Sequence, residues 1–423
     1  MNGRDLSSLQ VAALLVSASY GIGFLFGSGE LAISHGIAGS IYGVATALGM
    51  LVLAACARRL WHAGLPVWEL FGRAFGARVQ RAVALLSLIW MAGVLAAQIQ
   101  GGAAVVHLLG LGGLPGQLVV LAFIFFAARL DLRLASGVFA LCLLASALVL
   151  AYALVVSDGI GLYLRAVPVF VDDLATFRPT QLVAMTVAVG LLVCTGADYH
   201  QFVLAARRPL AAVTGCVLAG LALILIGFLP PAVVVAMQQA DALADVAEAR
   251  QVVPLLLARV AATLGTGADK LMLAALSAAA LGSGAAILRA MTGALASALP
   301  GRRSATQPGL ALLALVLGAA IAGRGQAIVD TMVSVNMVYI ASVAVCFVAL
   351  LRGVALSPRQ AGAIMATGFG VSLAAYCAGW AGWLGDDADL VSLVGGLAVS
   401  VTTAWLVGLR VGVGSRRVVG PGH

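Results

Sequence analysis

The sequence predicts an all-α, polytopic membrane protein of about twelve transmembrane helices: an inverted five-plus-five repeat with broken helices 1 and 6, plus two C-terminal helices. Three observations carry that expectation. Of 423 residues, 62% are hydrophobic and only 9% charged, which leaves too little polar surface to enclose a water-soluble core. Apolar runs long enough to cross a bilayer recur between charged, Gly or Pro punctuation. Polar, glycine-containing interruptions fall at mid-depth in the first and the sixth of those runs.

Taken in order, the runs lie near 10–33, 37–57, 82–110, 116–130, 134–156, 181–205, 211–237, 270–297, 308–323, 327–351, 360–380 and 388–410. The first is too long for a typical signal-peptide core, so a retained helix is expected. It carries Gly21, Gly23, Gly27 and Gly29 within nine positions. A helix-interior glycine costs about 1 kcal/mol relative to Ala, so the cluster invites a break. Backbone groups freed in hydrocarbon must be satisfied by protein, water or solute, and irregular backbone at that depth usually lines a cavity. The same glycines can instead serve close helix packing. The sixth run is interrupted by Cys194, Thr195, Gly196, Ala197 and Asp198. Because five is odd, two five-span halves have opposite orientations, and the sixth span is the counterpart of the first. The organisation expected is 1–156 for the first repeat, 157–180 for an outer loop, 181–352 for the second repeat, and 353–423 for two more helices and a cytoplasmic tail.

The net charge of +8 reflects topology, not nucleic-acid binding. Seventeen arginines, among them Arg133, Arg302, Arg303, Arg410, Arg416 and Arg417, fall in loops on the amino-terminal side. Five arginines and Lys270 fall on the other. This bias puts both termini in the cytoplasm, and the expected location is a bacterial inner membrane. The acids gather on the outer side: Asp158, Asp172, Asp173, Asp241, Asp245, Glu248, Asp386, Asp387 and Asp389. In the long outer loop after span seven, the apolar run 252–264 suits a helix across an outer vestibule or a solvated loop. The six cysteines lack metal or disulfide spacing and read as packing residues.

Ionisable residues inside spans need a reason to be there. Asp198, toward the inner half of span six, is either a gating or coupling carboxylate or a helix-end acid paired with Arg207 or Arg208. His200 is a proton relay or a hydrogen-bonding group at a helix interface. Glu30, about 30 Å up the first span, is an outer-vestibule acid or a wetted interface residue. His107 and Asp330 read as interfacial, and Arg289 as snorkelling toward the inner surface. In span eight, Ser283 beside Gly282 and Gly284 offers an oxygen to a hard cation such as Na+, together with carbonyls at the first break.

Several motifs, in this order, resemble the sodium:solute symporter family, whose fold is the leucine-transporter type. Residues 27–42 look like its first core helix running into a turn, and 66–76 (Pro-Val-Trp-Glu-Leu-Phe-Gly-Arg-Ala-Phe-Gly) are similar to its cytoplasmic Glu-containing segment. Residues 196–208 resemble its span-six signature, with Ala197 in place of Gln and Phe202 in place of Arg. The resemblance covers roughly 17–300. It implies Na+ as coupling ion, bound by the carbonyls of Ser17 and Tyr20 with Ala279, Gly282 and Ser283. The family usually has two adjacent hydroxyl residues where this chain has Gly282 and Ser283. One side-chain oxygen is missing, unless water, Ser277 or a carbonyl replaces it.

The combined expectation is a secondary active transporter of a small polar organic solute, working by alternating access with Na+ symport. Proton-coupled or uncoupled transport, or solute sensing without transport, are the alternatives. Solute contacts are expected from Ser19, Gly21, Gly23, Phe24, Gln98, Thr195, Asn336 and Tyr339. No enzymatic constellation can be assembled from these motifs. Beyond Na+ no cofactor is expected, and the partners are a solute and the lipid bilayer.

Overall fold

Ser7 and Gln10 start the first helix. The Ser7 hydroxyl accepts from the Gln10 N–H at 3.3 Å, and the Gln10 side chain accepts from the Ser7 N–H at 2.9 Å, a capping box that satisfies two free donors. In this computed structural model, which describes residues 4–129, 132–243, 246, 248–298 and 307–407, α1 then spans Ser8–Ser19. The expectations placed on Asp245, Arg302, Arg303, Arg410, Arg416 and Arg417, and on the side chains of Arg133 and Asp386, lie outside the described residues. At Tyr20 (φ −83°, ψ 51°) and Gly21 (φ −84°, ψ 179°) the backbone leaves helical geometry, and α2 resumes over Ile22–His35. Of the four glycines, only Gly21 belongs to the break. Gly23, Gly27 and Gly29 lie inside α2 and let neighbours approach it: a methyl on Gly27 would stand 2.6 Å from Val329 Cγ2, and one on Gly29 would collide with Val253.

The chain turns back through Gly36 (φ 56°) and a 3-10 turn, Gly36–Ser40, into α3 (Ile41–Ala63). The Phe24 and Tyr42 rings are 5.7 Å apart. A straight helix would separate them by about 27 Å, so α2 and α3 are antiparallel legs. The short α4 (Val67–Phe75) precedes α5 (Ala77–Leu108), α6 (Gly113–Ala127) and α7 (Leu132–Val156). Two short helices, α8 (Ile160–Leu164) and α9 (Ala166–Asp173), lead to α10 (Pro179–Thr195), which bends by 43° at Gly196 into α11 (Ala197–Ala205). Then follow α12 (Pro209–Gly227), α13 (Leu229–Gln239), α14 (Val252–Ala262), α15 (Ala268–Ala298), α16 (Gln307–Ala322), α17 (Ile328–Leu351), α18 (Pro358–Trp380) and α19 (Ala388–Leu406), the last with a π turn at Val391–Gly395. Among the described residues, seven stretches are long and apolar enough to cross a membrane, and α10 with α11 makes an eighth as a bent pair. The shorter apolar helices α1, α6, α16 and the Leu144–Val156 part of α7 occupy the remaining expected spans.

Alternating crossings put the odd-numbered and even-numbered connections on opposite sides, and polar contacts join segments accordingly. On the amino-terminal side, Leu6 pairs with the chain after α11: Leu6 N–H donates to Ala205 O at 3.1 Å and Arg207 N–H to Leu6 O at 2.9 Å. Trp61 Nε1 donates to Ala206 O at 2.7 Å, and an Arg59 N–H to Leu351 O at 3.1 Å. On the far side, the Asp173 carboxylate accepts from Ile37 N–H at 2.8 Å, and the Gln251 amide donates to His107 Nδ1 at 2.9 Å. The apolar run after α13 is a buried helix, not a solvated loop: α14 presses Val252 and Val253 against α2 at Gly29.

Candidate solute site at the broken helices

Breaking a helix at Tyr20–Gly21 leaves the carbonyls of Ser17 to Tyr20 without the i+4 donors of a continuous helix, and the first N–H groups of α2 without acceptors. What surrounds the break is set by Gly21 and Gly23. A methyl on Gly21 would lie 3.5 Å from both Gln98 Nε2 on α5 and Ser283 Oγ on α15. One on Gly23 would lie 3.6 Å from Gln98 Nε2 and only 2.9 Å from Met332 Sδ on α17. Bare backbone therefore brings α2 against α5, α15 and α17 at one level.

α5 and α17 run antiparallel through this region. A methyl on Gly93 would sit 3.3 Å from Val335 Cβ, and the Trp90 and Tyr339 rings are 6.3 Å apart. Met332, Asn336 and Tyr339 follow one another at helical spacing on one face of α17, with Met332 against α2 and Tyr339 against α10. Asn336 lies between them. Both its side-chain atoms, Oδ1 and Nδ2, lack a hydrogen-bond partner although the residue is 1% exposed. Gln98, 2% exposed, has an unpartnered Oε1, and the Tyr20 hydroxyl is likewise buried and unpartnered. Buried polar groups are nearly always paired, and each orphan costs about 1–3 kcal/mol. Gln98 Oε1, the Tyr20 hydroxyl and both polar atoms of the Asn336 side chain are thus hydrogen-bonding capacity left unused at the break and along the adjoining face of α17. Tyr20, Phe24 and Tyr42 add an aromatic wall, with ring centroids 5.1 Å and 5.7 Å apart.

The other named residues are placed differently. Ser19 donates its hydroxyl to Leu15 O at 2.9 Å within its own helix. The Thr195 hydroxyl donates to Leu191 O at 2.9 Å, and the Thr195 carbonyl accepts from the Tyr339 hydroxyl at 3.0 Å, which ties α10 to α17. His200, fully buried, donates from Nε2 to Cys194 O at 2.8 Å and stacks on Phe347 at 5.8 Å, so it closes a carbonyl freed by the Gly196 break. Asp198 sits in the first turn of α11 with Oδ1 unpartnered. Among the described residues no ion pair joins it to Arg207 or Arg208. Glu30 Oε2 accepts from Ile328 N–H at 2.8 Å, filling the place of a cap at the start of α17. That function was not readable from sequence, because the two residues are 298 apart in the chain.

No protein-family model and no curated protein matches the chain. Solved structures match it at low identity over nearly their whole length. A Na+-coupled sialic acid symporter in its substrate-bound outward-open state is 15% identical, with a TM-score of 0.65, covering 96% of this chain and 91% of that one. The chain has the leucine-transporter-type fold. Mhp1, a nucleobase-cation-symport-1 family transporter in a closed conformation with bromovinylhydantoin bound, is 15% identical with a TM-score of 0.55, covering 95% and 93% of the two chains. A manganese transporter of Eremococcus coleocola is 14% identical with a TM-score of 0.57, over the same shares. Within this fold, Ser283 is the span-eight hydroxyl that reaches the first break. Ser277 does not stand in for a second one. It lies about 9 Å along α15 from Ser283 and lines a separate apolar cavity with Gly102, Val106 and Leu281.

Proposed function

We propose that the protein is a secondary transporter that carries a small polar organic solute across a bacterial inner membrane by alternating access, with both termini cytoplasmic. One observation carries the reading: the buried Gln98 amide stands against the open backbone break at Tyr20–Gly21 with its Oε1 unpaired, and Asn336, one turn along α17 from the Met332 that meets α2 at Gly23, is buried with both side-chain atoms unpaired. Amides both donate and accept, so they suit a neutral or zwitterionic solute with both kinds of group, and the half-helix ends favour partial charges of either sign. Among the described residues no group of three or more His, Cys, Asp or Glu comes together, so a transition-metal cargo lacks its usual donor set.

Na+ is the coupling ion in this reading, held by Ser283 Oγ and the carbonyls of Ser17 and Tyr20, with backbone at Ala279 and Gly282 completing the site. All are hard oxygen donors of the kind that Na+ takes. Proton coupling or uncoupled movement is the second reading, favoured by the single hydroxyl that α15 offers. Uptake by proteoliposomes from a panel of labelled solutes, under an inward Na+ gradient, a proton gradient or neither, tests both. Accumulation that follows the Na+ gradient supports symport. Accumulation with protons alone moves the assignment to the second reading. Equilibration without accumulation under any gradient leaves a uniporter, and no uptake of any solute rejects transport.

A further inference from the structure

Away from the centre, a cavity of ≈ 540 Å³ opens on the amino-terminal side between α6, α15 and α16. Two arginines line it together with Thr292, Gln307 and the ring of Phe125, and among its described lining residues there is no acid. Arg289 reaches it from α15 in a fixed pose. Its Nε donates to Ala128 O at 2.6 Å and its Nη2 to Ala127 O at 2.8 Å, which satisfies carbonyls at the end of α6. A guanidinium has five N–H donors, so three stay free of partners among the described residues. Arg129 is held with its guanidinium 4.3 Å from the centroid of the Phe125 ring. Phe126, whose ring lies 5.8 Å from that of the lining Phe125, is 62% exposed, and Leu312, next in the chain to the lining Ala311, is 55% exposed, apolar faces that belong in acyl chains.

We propose that this cavity binds the phosphate of an anionic phospholipid headgroup in the cytoplasmic leaflet, with the acyl chains lying along Phe126 and Leu312. A basic pocket between transmembrane helices, at the level where headgroups meet hydrocarbon, matches such a lipid in both charge and depth. Arg289 is the oriented donor and Arg129 the outer charge, while Thr292 and Gln307 flank the headgroup. The apolar rim decides for a lipid over a free phosphate, which would gain nothing from it.

The test is lipid retention by the purified full-length protein in a neutral detergent, read by native mass spectrometry after adding equal amounts of phosphatidylglycerol and phosphatidylcholine. The expected result is preferential retention of phosphatidylglycerol, with the preference reduced about fivefold in Arg129→Gln, since each such charge is worth on the order of one basic residue at a membrane surface. Arg289→Gln should remove more. It also uncaps α6, so if it fails to fold, Arg129→Gln decides. Equal retention of the two lipids, or an unchanged preference in Arg129→Gln, overturns the proposal. Glycerol 3-phosphate provides the other arm: displacement of the lipid at equal concentration assigns the site to free anions and overturns the lipid reading, and failure to displace supports it.

Discussion

The two broken spans use one device to opposite ends. At Tyr20–Gly21 the break stays open. The carbonyls of Ser17 to Tyr20 lose their helical donors, the Gln98 amide that stands against Gly21 keeps its Oε1 unpaired, and Asn336 on α17 keeps both side-chain atoms unpaired. At Gly196 the two carbonyls before the bend are taken up: His200 takes the Cys194 carbonyl, the Tyr339 hydroxyl takes the Thr195 carbonyl, and the Gly196 N–H still donates to Leu192 O at 2.6 Å, while Asp198 Oδ1 and His200 Nδ1 stay unpaired. Gly196 is required for the bend, since a methyl there would stand 2.7 Å from Asp198 Oδ1 and 2.9 Å from Leu192 O. A break in a membrane helix is therefore not yet a binding site. It becomes one only where the protein withholds the side chains that would satisfy it, and on the proposed reading the first break is the one left for a ligand.

That contrast can be broken most sharply at Gln98. Gln98→Leu removes an orphaned amide from the open break, so the thermal midpoint in detergent should hold or rise. Solute affinity in uptake should fall roughly ten- to hundredfold, because a polar solute atom facing Leu forfeits about 1–3 kcal/mol. A large loss of stability with affinity intact would mean that the amide is structural. His200→Phe should do the reverse at the second break. It keeps a ring against Phe347 but leaves the Cys194 carbonyl without its donor, at a cost of about 1–3 kcal/mol of stability. Affinity measured on the folded fraction should be unchanged, and a variant as stable as the parent would show that the carbonyl is not taken up as described. Ser283→Ala addresses the cation beside the open break. Na+ at tenfold excess over its Kd should stabilise the parent by about 1.4 kcal/mol relative to K+ at equal ionic strength, and the variant much less. An identical Na+ response in both would remove Ser283 from the site.

The all-helical, polytopic architecture and the positions of both breaks were legible in the sequence because hydrocarbon imposes simple rules: apolar runs of fixed length, and a penalty on glycines and ionisable groups that makes each one informative. Which glycines break and which pack was not legible. Gly21 and Gly29 sit in similar local sequence, and only the arrival of Gln98 and Ser283 at one and of Val253 at the other separates their uses. Partners supplied from distant segments were hidden for the same reason. Neither the link from Tyr339 to Thr195 nor that from Glu30 to Ile328 leaves a periodic trace, so the sequence could not show that these two candidates also tie distant helices together. Gln98 and Asn336 were found because a carboxamide inside an apolar span is conspicuous, but the sequence could not say that their hydrogen-bonding capacity stays free.

Asp198 gives the smallest expected effect and the finest division between the two breaks. It stands in the first turn of α11, at the positive end of the helix dipole, with Oδ1 unpartnered. If the second break serves shape alone, Asp198→Asn removes the charge but keeps an oxygen beside the same N–H groups. The thermal midpoint should then drop only slightly, and gradient-driven uptake should persist. Uptake abolished in a variant of near-parental stability would assign the carboxylate to the transport cycle itself. The second break would then be sealed in its backbone yet active through one side chain, and the division between an open break that binds and a closed break that bends would have to be redrawn around Asp198.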